Sequence, residues 1–273
     1  MSLPTIAPSA VTDALRSIGI KPGSIALVHA DAIVAAQFQS QHAGPSLGND
    51  IDNDNDQQLD LLIDAIESAI GREGTLVMPA FSYSFTKGEP FDVVGTPSAV
   101  GMVSERFRTR KGVLRTLDPI FSFACAGPLA PQLCALPVKE CFGPDSVFAA
   151  VHRLNAYIVD LGCSLSRGGT FVHYVETAYG VKYRYKKIFS GIVLMPDGQR
   201  VEGSVAYNVR DLTRRSEADL RSLQSRLIKE GKMQAAEVGR SRILAVTASD
   251  FFDTAWKMLD EDPLSLIEEG VQV

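Results

Sequence analysis

The stretch that decides the fold is AYIVDLGCSLSRGGTFVHYVE, residues 156–176. Its first part, residues 156–162, is an apolar run with the length of a buried strand. Two glycines then precede Thr170, which stands where a helix N-cap is expected, and His173 and Glu176 follow at intervals of three residues. One helical turn separates these last two side chains. A strand that leads through a glycine-rich turn into a polar helix start is where α/β proteins bind ligands.

Upstream of this stretch, apolar runs of strand length alternate with amphipathic helical segments. Strands are predicted at 24–29, 75–82, 117–127 and 157–163, and helices at 5–18, 58–70, 98–110 and 142–154, the last of them capped by Asp145 or Ser146. This alternation predicts the α/β class, with a mostly parallel central sheet flanked by helices. Residues 41–58 are rich in Gly, Asn and Asp, and we predict that they form a polar loop insertion.

The pattern changes in the C-terminal third of the chain. Residues 188–195 and 198–207 have the composition of strands and flank Pro196-Asp197-Gly198, a turn typical of a β-hairpin. Three more segments follow, namely a helix at 216–230, a strand at 237–247 and a helix that begins at Ser249 or Asp250. The sequence therefore predicts an antiparallel hairpin extension. Because no linker or repeat interrupts the chain, we predict one domain over residues 1–273, in which 188–273 contribute the hairpin and the C-terminal helices.

Composition restricts the classes of function and partner. The chain has 273 residues, of which 45% are hydrophobic and 22% charged, as is usual in soluble globular proteins. A net charge of −5 argues against nucleic acid and anionic membranes as partners, and it is compatible with a local basic pocket for an anionic ligand. The sequence has neither a signal peptide nor an apolar run of about 20 residues, so we expect a cytoplasmic protein. The oligomeric state stays open, with a homodimer included.

His173 is the leading candidate for a catalytic residue. A helix N-terminus disfavours an imidazolium cation, whereas the carboxylate of Glu176 one turn later favours it. The two influences together suit a general base that works near neutral pH. Position alone fits a simpler interpretation equally well, in which Thr170 caps the helix and the two later side chains only pack against it.

His29, Ala30 and Asp31 directly follow the first buried strand and allow three interpretations. In the first, His29 and Asp31 join His173 and Glu176 as nitrogen and oxygen ligands of a metal-dependent hydrolase. In the second, the backbone turn presents its amides to a phosphate or to a pantetheine chain. In the third, Asp31 only caps the helix that is expected after it.

Two further charged segments have both a functional and a structural interpretation. Residues 183–187, YRYKK, could stack on a base and neutralise phosphates, or they could form a half-exposed strand. Glu105 could face a positively charged substrate, or it could pair with Arg106 or Arg108 on its own helix.

Six segments with characteristic sequences follow one another along the first two thirds of the chain. They are Gly23–His29, Gly74–Phe81, Glu105–Arg115, Asp118–Gly127, Phe142–Ser146 and Thr170–Glu176. In this order and spacing, the chain resembles the aminoglycoside 3-N-acetyltransferase family.

The resemblance implies an acetyltransferase that takes acetyl-CoA as its co-substrate, needs no metal, and acts on an amine of a sugar-like acceptor. Seven residues are then implied in coenzyme binding: His29, Ala30, Asp31, Arg115, Ser122, Phe123 and Thr170. Six are implied in acceptor binding: Phe81, Tyr83, Glu105, Asp118, Tyr183 and Arg184. His173 becomes the general base, and Glu176 orients it.

Two departures distinguish the chain from the family pattern. The family commonly has His-Ser-Ser after the first strand, whereas here Ala30 lacks a hydroxyl and Asp31 would repel a phosphate unless it is turned away. The family commonly has a histidine where this chain has Asp118, a residue better suited to hold a substrate ammonium than to shuttle a proton. With the loop at 84–92, these differences favour relatives that acetylate surface-polysaccharide or nucleotide-linked amino sugars.

The prediction is therefore an N-acetyltransferase that acts on an amino sugar, and the alternative is an aminoglycoside 3-N-acetyltransferase that confers antibiotic resistance. A metal-dependent hydrolase and a coenzyme- or nucleotide-sugar-binding protein without turnover remain as hypotheses of other classes.

Overall fold

The computed structural model describes residues 5–38, 49–214 and 216–268. In chain order, the strands are β1 (Ile25–Ala30), β2 (Thr75–Pro79), β3 (Phe91–Asp92), β4 (Leu114–Arg115), β5 (Phe123–Ala126), β6 (Tyr157–Leu161), β7 (Arg184–Leu194), β8 (Arg200–Arg210), β9 (Met233–Val238) and β10 (Ser241–Thr247). The helices are α1 (Pro8–Ser17), α2 (Asn49–Ile70), α3 (Met102–Arg108), α4 (Ala130–Cys134), α5 (Val147–Arg153), α6 (Leu165–Gly168), α7 (Val172–Tyr179), α8 (Arg221–Lys229) and α9 (Ala248–Glu261).

The main sheet has a parallel centre. Its strands follow the order β4-β5-β2-β1-β6-β10-β9, and β1 pairs in parallel with both β2 and β6. The outer strands are antiparallel to their neighbours. Because a parallel strand is covered on both faces, the continuous apolar runs of the sequence coincide with these three central strands. The predicted α/β class with a parallel central sheet and flanking helices is confirmed.

Helices cover both faces of this sheet. Successive residues of β1 alternate between two apolar layers, so that Leu27 packs in one and Val28 in the other. The layer of Val28 is completed by α1, α2 and α3, and the layer of Leu27 by α5, α7, α8 and α9. His29 continues the Leu27 side of β1 and therefore lies on the same face of the sheet as α7.

The predicted hairpin is confirmed and belongs to a second sheet. β7 and β8 pair antiparallel over eleven residues each, and β3 pairs in parallel with β7. The turn at Pro196-Asp197-Gly198 has Gly198 at φ 83°, a conformation that favours glycine. Val193 and Val205 of the hairpin are buried in the apolar layer that also contains Leu27.

The polar insertion predicted at 41–58 is wrong in its second half, because α2 already begins at Asn49. Acidic residues stabilise the start of a helix through its dipole, and Asp56 and Asp60 are paired with Arg106 of α3. The sequence pattern contains no information on this pairing between two helices. The remainder of the predicted loop, residues 41–48, lies outside the described residues.

Two predicted strands also differ from the structure. The segment 117–127 forms a strand only from Phe123, because Pro119 cannot donate a ladder hydrogen bond and Asp118 Oδ1 accepts from the amides of Ile120 and Phe121. The segment 237–247 is divided by a turn at Gly239, φ 58°, into β9 and β10. None of the described helices combines the length and apolar character of a membrane-spanning segment.

Candidate active site

The imidazole of His173 contacts the carboxylate of Glu176 on α7. The two residues are one helical turn apart, and Nδ1 lies 2.7 Å from Oε2. Glu176 is completely buried, whereas 19% of the His173 side chain is exposed. The imidazole can therefore meet a ligand, while the carboxylate stays behind it.

Glu176 is also held by residues at the start of β7. The hydroxyl of Tyr183 donates to Oε1 at 3.0 Å, and Arg184 Nε lies 2.6 Å from Oε2 as a buried ion pair. Burial by itself would raise the pKa of Glu176, but attraction to His173 and Arg184 and the hydrogen bonds from His173 and Tyr183 lower that pKa below its usual value. The carboxylate is therefore ionised at neutral pH.

The ionised carboxylate selects one tautomer of His173. Because a carboxylate only accepts hydrogen bonds, Nδ1 carries the proton and Nε2 keeps its lone pair. Arg184 balances the charge of Glu176, so the carboxylate mainly orients the ring. The arrangement provides an oriented general base.

An aromatic wall and a tight turn surround the imidazole. The ring of Phe142 lies edge-on at 5.4 Å from His173, and it also packs against Phe121 and Tyr207. The predicted side-chain cap by Thr170 is wrong, since no side chain caps α7. The reason is that backbone carbonyls of residues 169–171 already accept from the first helical amides.

A cavity of about 440 Å³ opens where β1, β2 and β6 end. Six predicted ligand contacts line it: His29, Ala30, Asp31, Phe81, Tyr83 and Thr170. Pro79, Val100 and Met102 add apolar surface, and the described lining contains no lysine or arginine. The cavity therefore suits an uncharged, partly apolar segment of a ligand better than a phosphate.

A larger groove of about 1940 Å³ lies between α8, α9 and the loop after α7. Some of its charged residues pair with one another, namely Arg226 with Glu230 and Arg221 with Asp219. Tyr183 lines this groove and also donates a hydrogen bond to Glu176. We place the active site at the strand ends, because only there do the parallel strands, the cavity and the predicted ligand contacts coincide.

His29 and Asp160 face each other across β1 and β6 beside this cavity. They are register partners, and Nδ1 of the imidazole lies 3.7 Å from Oδ1 of the carboxyl group. Burial lowers the pKa of His29 to about 4 and raises that of Asp160 to about 7. A Cβ atom at Gly168 would lie 1.9 Å from Oδ1 of Asp160, so only glycine lets the chain pass so close.

The sequence interpretation missed Asp160 as a site residue, although a signal was present. His29 and Asp160 are each the second-last residue of a parallel strand, and parallel strands end at one edge of the sheet.

The departure from the family pattern at Asp31 is explained by its geometry, since Oδ1 accepts from the amide of Ile33 at 3.0 Å. The carboxylate of Asp31 is therefore partly stabilised by a backbone amide of its own loop. The short 3-10 helix Ala35–Gln37 follows this loop.

The side chains of the predicted coenzyme contacts Arg115, Ser122 and Phe123 are engaged within the protein. Phe123 is fully buried in the core, and Ser122 Oγ donates to the carbonyl of Ala80 at 2.7 Å. Arg115 donates to Ser122, to Ala80 and to two further carbonyls, and burial lowers its pKa to about 10. These three residues join the loops around the site, because their polar atoms are used within the protein.

Several predicted acceptor contacts are also engaged within the protein. Glu105 accepts from the amide of Ser98 and from Arg108, which confirms the interpretation that it pairs on its own helix. Oδ1 of Asp118 caps its own loop, and burial raises the pKa of that carboxyl group. Tyr183 and Arg184 are buried against Glu176, so in the structure their polar groups contact this carboxylate.

The arrangement does not resemble a metal centre. Among the residues that the structure describes, no three His, Cys, Asp or Glu side chains are placed together as ligands of one ion. His29 and Asp31 line the cavity, whereas Glu176 is enclosed by Tyr183 and Arg184. The hypothesis of a metal-dependent hydrolase therefore finds no support.

Comparison with known proteins agrees with this geometry. The family described as aminoglycoside 3-N-acetyltransferase matches residues 49–260. Aminoglycoside N(3)-acetyltransferase IV from Salmonella sp is 31% identical over 253 residues, which cover 92% of this chain and 86% of that protein.

The chain belongs to the aminoglycoside 3-N-acetyltransferase family.

Solved structures show the same fold. The apoenzyme of aminoglycoside acetyltransferase AAC(3)-IVa aligns with a TM-score of 0.77 and 26% identity, over 98% of this chain and 93% of that one. A histidine-to-alanine mutant of the same enzyme in complex with apramycin aligns with a TM-score of 0.71 and 26% identity, over 96% and 95% of the two chains. AAC-IIIb with CoASH aligns with a TM-score of 0.77 over 94% and 97%, at 17% identity.

Membership of the aminoglycoside 3-N-acetyltransferase family makes the chain an acetyl-CoA-dependent N-acetyltransferase. The strand-end cavity fits the neutral arm of this co-substrate, because its lining is mostly apolar and includes the imidazole of His29, neither nitrogen of which has a hydrogen-bond partner among the described atoms. The backbone at Gly168 passes close to His29, where a Cβ atom would lie 3.0 Å from His29 Cβ, and both residues line the cavity.

Proposed function

We propose that this N-acetyltransferase moves the acetyl group of acetyl-CoA to an amino group of an aminoglycoside, with His173 as general base. The observation that carries the proposal is the 2.7 Å contact between His173 and the buried Glu176, which Tyr183 and Arg184 hold in place. Because Glu176 already fixes the tautomer of the His173 ring, the base needs no rearrangement before it accepts a proton.

The reaction needs proton transfer because amines are mostly protonated near neutral pH. The thioester supplies the acetyl carbonyl carbon, to which the amine nitrogen bonds while the carbon–sulfur bond breaks and a free thiol forms. His173 Nε2 takes the proton that the nitrogen loses and passes it to the leaving sulfur, which departs as the free thiol. Glu176 holds the resulting imidazolium in position through Nδ1–H, and Arg184 keeps the carboxylate ionised throughout.

The acceptor is proposed from the relatives. The sequence favoured an amino sugar of a surface polysaccharide or a nucleotide-linked amino sugar, and an aminoglycoside was the alternative. The match to an aminoglycoside N(3)-acetyltransferase at 31% identity supports the alternative better. The AAC(3)-IVa mutant structures contain apramycin and a gentamicin, so these compounds are the first acceptors to test.

Thiol release from acetyl-CoA tests the proposal. Wild-type protein should release thiol with apramycin or gentamicin and release far less with nucleotide-linked amino sugars. His173→Ala should reduce kcat by about 100- to 10000-fold, because it removes the base. Near-wild-type acetylation by this variant would contradict the assigned role.

A matched control is available on α5. His152 is a second partly buried histidine, which stacks on Phe252 at 4.2 Å and does not contact Glu176. His152→Asn should retain acetylation, so a loss confined to His173→Ala would show that the effect is specific to that imidazole. Thiol release only with nucleotide-linked amino sugars would restore the first prediction of the acceptor.

A further inference from the structure

The proposed acceptor needs contacts beside His173, and the predicted acceptor residues supply few of them. Of these residues, Tyr83 is exposed, at 44%. Four others have polar atoms engaged within the protein, namely Glu105, Asp118, Tyr183 and Arg184. Side chains outside the predicted set therefore have to contribute to the recognition of the acceptor.

An aromatic wall connects the base to the strand-end cavity. Phe142 packs edge-on against His173, and Tyr207 of β8 packs on Phe142 with the ring centres 5.8 Å apart. Phe121 contacts both tyrosines, at 5.0 Å from Tyr207 and 6.2 Å from Tyr83, and Tyr83 lines the cavity. Because the acetyl group has to pass from the cavity to an amine beside His173, the acceptor has to lie along this wall.

Tyr207 offers a polar group on this wall that the protein does not use. Its side chain is partly buried, and its hydroxyl forms no hydrogen bond with any described residue. The hydroxyl is not enclosed, in contrast to Nη2 of Arg184, which is buried. Burial raises the pKa of Tyr207, although Arg184 and Arg210 act to lower it. The phenol is therefore neutral at pH 7 and can donate a hydrogen bond.

We propose that Tyr207 is an acceptor-binding residue, whose ring packs on the sugar-like ring that carries the reacting amine and whose hydroxyl forms a hydrogen bond with a hydroxyl group of that ring. An aromatic side chain with a polar tip suits a ligand that has apolar ring faces and polar edges. Ligand sites commonly combine such aromatic walls with a few polar groups that fix the orientation of the ligand. The inference rests on the proposed function, because that function names the acceptor.

The charges around Tyr207 favour a neutral partner. Arg184 and Arg210 are close enough to act on its hydroxyl, and the charge of Glu176 is balanced by Arg184. A second ammonium group of the acceptor would be repelled by these two cations, whereas a sugar hydroxyl would not. Tyr207 thereby orients the ring, since a hydroxyl group held at β8 leaves the amine to face His173.

Steady-state kinetics with apramycin and acetyl-CoA test this contact. Tyr207→Phe keeps the ring and its packing on Phe121 and Phe142, and it removes only the hydroxyl. We expect KM for apramycin to rise about three- to tenfold, as for the loss of one hydrogen bond. Both kcat and KM for acetyl-CoA should stay within about twofold of the wild type, because the contact is made equally in the ground state and the transition state.

Tyr185→Phe is the matched control, since Tyr185 lies on the neighbouring strand β7 and is 54% exposed. This variant should keep all three kinetic constants. An unchanged KM for apramycin in Tyr207→Phe, or an equal rise in KM for acetyl-CoA, would overturn the assignment. A fall in kcat alone would overturn it too, because Tyr207 would then act by supporting His173.

Derivatives of apramycin that each lack one hydroxyl group test the hydrogen bond itself. For the derivative that lacks the contacted hydroxyl, the wild type and Tyr207→Phe should have the same KM. If the variant raises KM for every derivative by the same factor, the hydrogen bond is wrong. Failure of the proposed function looks different: the wild type would release thiol only with nucleotide-linked amino sugars, and the same comparison with those acceptors would then decide the role of Tyr207.

Discussion

Arg184 determines how much of the Glu176 charge acts on His173. A buried carboxylate alone would strongly favour the imidazolium, whereas a carboxylate paired with arginine has little net charge. Because the buried Arg184 lies 2.6 Å from Oε2 of Glu176, the oxygen that His173 also contacts, the pair serves chiefly to hold the ring and its tautomer.

The pairing of Glu176 with Arg184 predicts strong coupling between two substitutions. Arg184→Met leaves a buried, partly uncompensated carboxylate and should lower the free energy of unfolding by about 3–5 kcal/mol. Glu176→Gln should lower kcat by roughly 10- to 100-fold, because an amide no longer selects one tautomer of His173. The double variant should be more stable than Arg184→Met yet remain as slow as Glu176→Gln.

Urea unfolding and steady-state kinetics measure the two effects separately. Arg242→Gln is a suitable control, since its partner Glu237 is 65% exposed and the pair should contribute little. Strictly additive changes in the free energy of unfolding would show that Glu176 and Arg184 do not stabilise each other.

At the scale of elements, α7 depends on the hairpin of β7 and β8. β7 begins with Arg184, directly after Tyr183, and therefore delivers both partners of Glu176. Tyr207 of β8 packs on Phe142, which contacts His173, and Asn208 donates to Thr177 of α7. The second sheet thus supports the base from two sides.

The long helix α2 is secured by arginines of α3 and of the turn that follows it. Arg106 pairs with Asp56 and Asp60, and Arg110 pairs with Asp64 and Glu67. We predict that Arg106→Gln destabilises the first half of α2 by about 1 kcal/mol, because a network of partly exposed pairs contributes more than a single one. Hydrogen exchange should accelerate at residues 56–60 and stay unchanged near Ser68, which Arg16 of α1 holds separately.

Equal acceleration along the whole of α2 would contradict this local effect. Acetylation should not change, since the described lining of the strand-end cavity contains no residue of α2. A loss of activity in Arg106→Gln would therefore indicate that α2 and the site are coupled.

At the scale of the whole molecule, the two sheets share one core. Val193 and Val205 of the hairpin are buried in the same apolar layer as Phe148 and Phe251, which pack against the main sheet. This continuity supports the proposal that the chain forms one domain, and we expect both sheets to unfold in one cooperative transition.

The sequence predicted those features that depend on local patterns. Apolar runs predicted the three parallel strands, and the spacing of His173 and Glu176 predicted their contact, because helical geometry brings residues three apart together. The functions of Arg115, Ser122 and Arg184 could not be predicted in this way. Each depends on a partner in another element or loop, and a charged residue at the end of a strand has the same local pattern whether it faces a ligand or another buried side chain.

The pH dependence of folding should report the pair of His29 and Asp160. The pKa of Asp160 is raised to about 7, so the unfolded chain releases this proton first and the folded state loses stability as pH rises from about 4 to about 7. His29, with its pKa lowered to about 4, has the opposite effect between about pH 4 and 6.5, and the two largely cancel in the wild type. Asp160→Asn removes the effect of the carboxyl group and leaves that of His29. The free energy of unfolding of this variant, relative to the wild type, should therefore increase by up to about 4 kcal/mol from pH 4 to pH 7 and stay constant above pH 7. Urea unfolding over this range measures the difference in free energy of unfolding between variant and wild type. For Glu237→Gln, whose side chain is exposed, this difference should change far less with pH. A difference that stays constant with pH for Asp160→Asn would mean that Asp160 ionises as an ordinary carboxyl group.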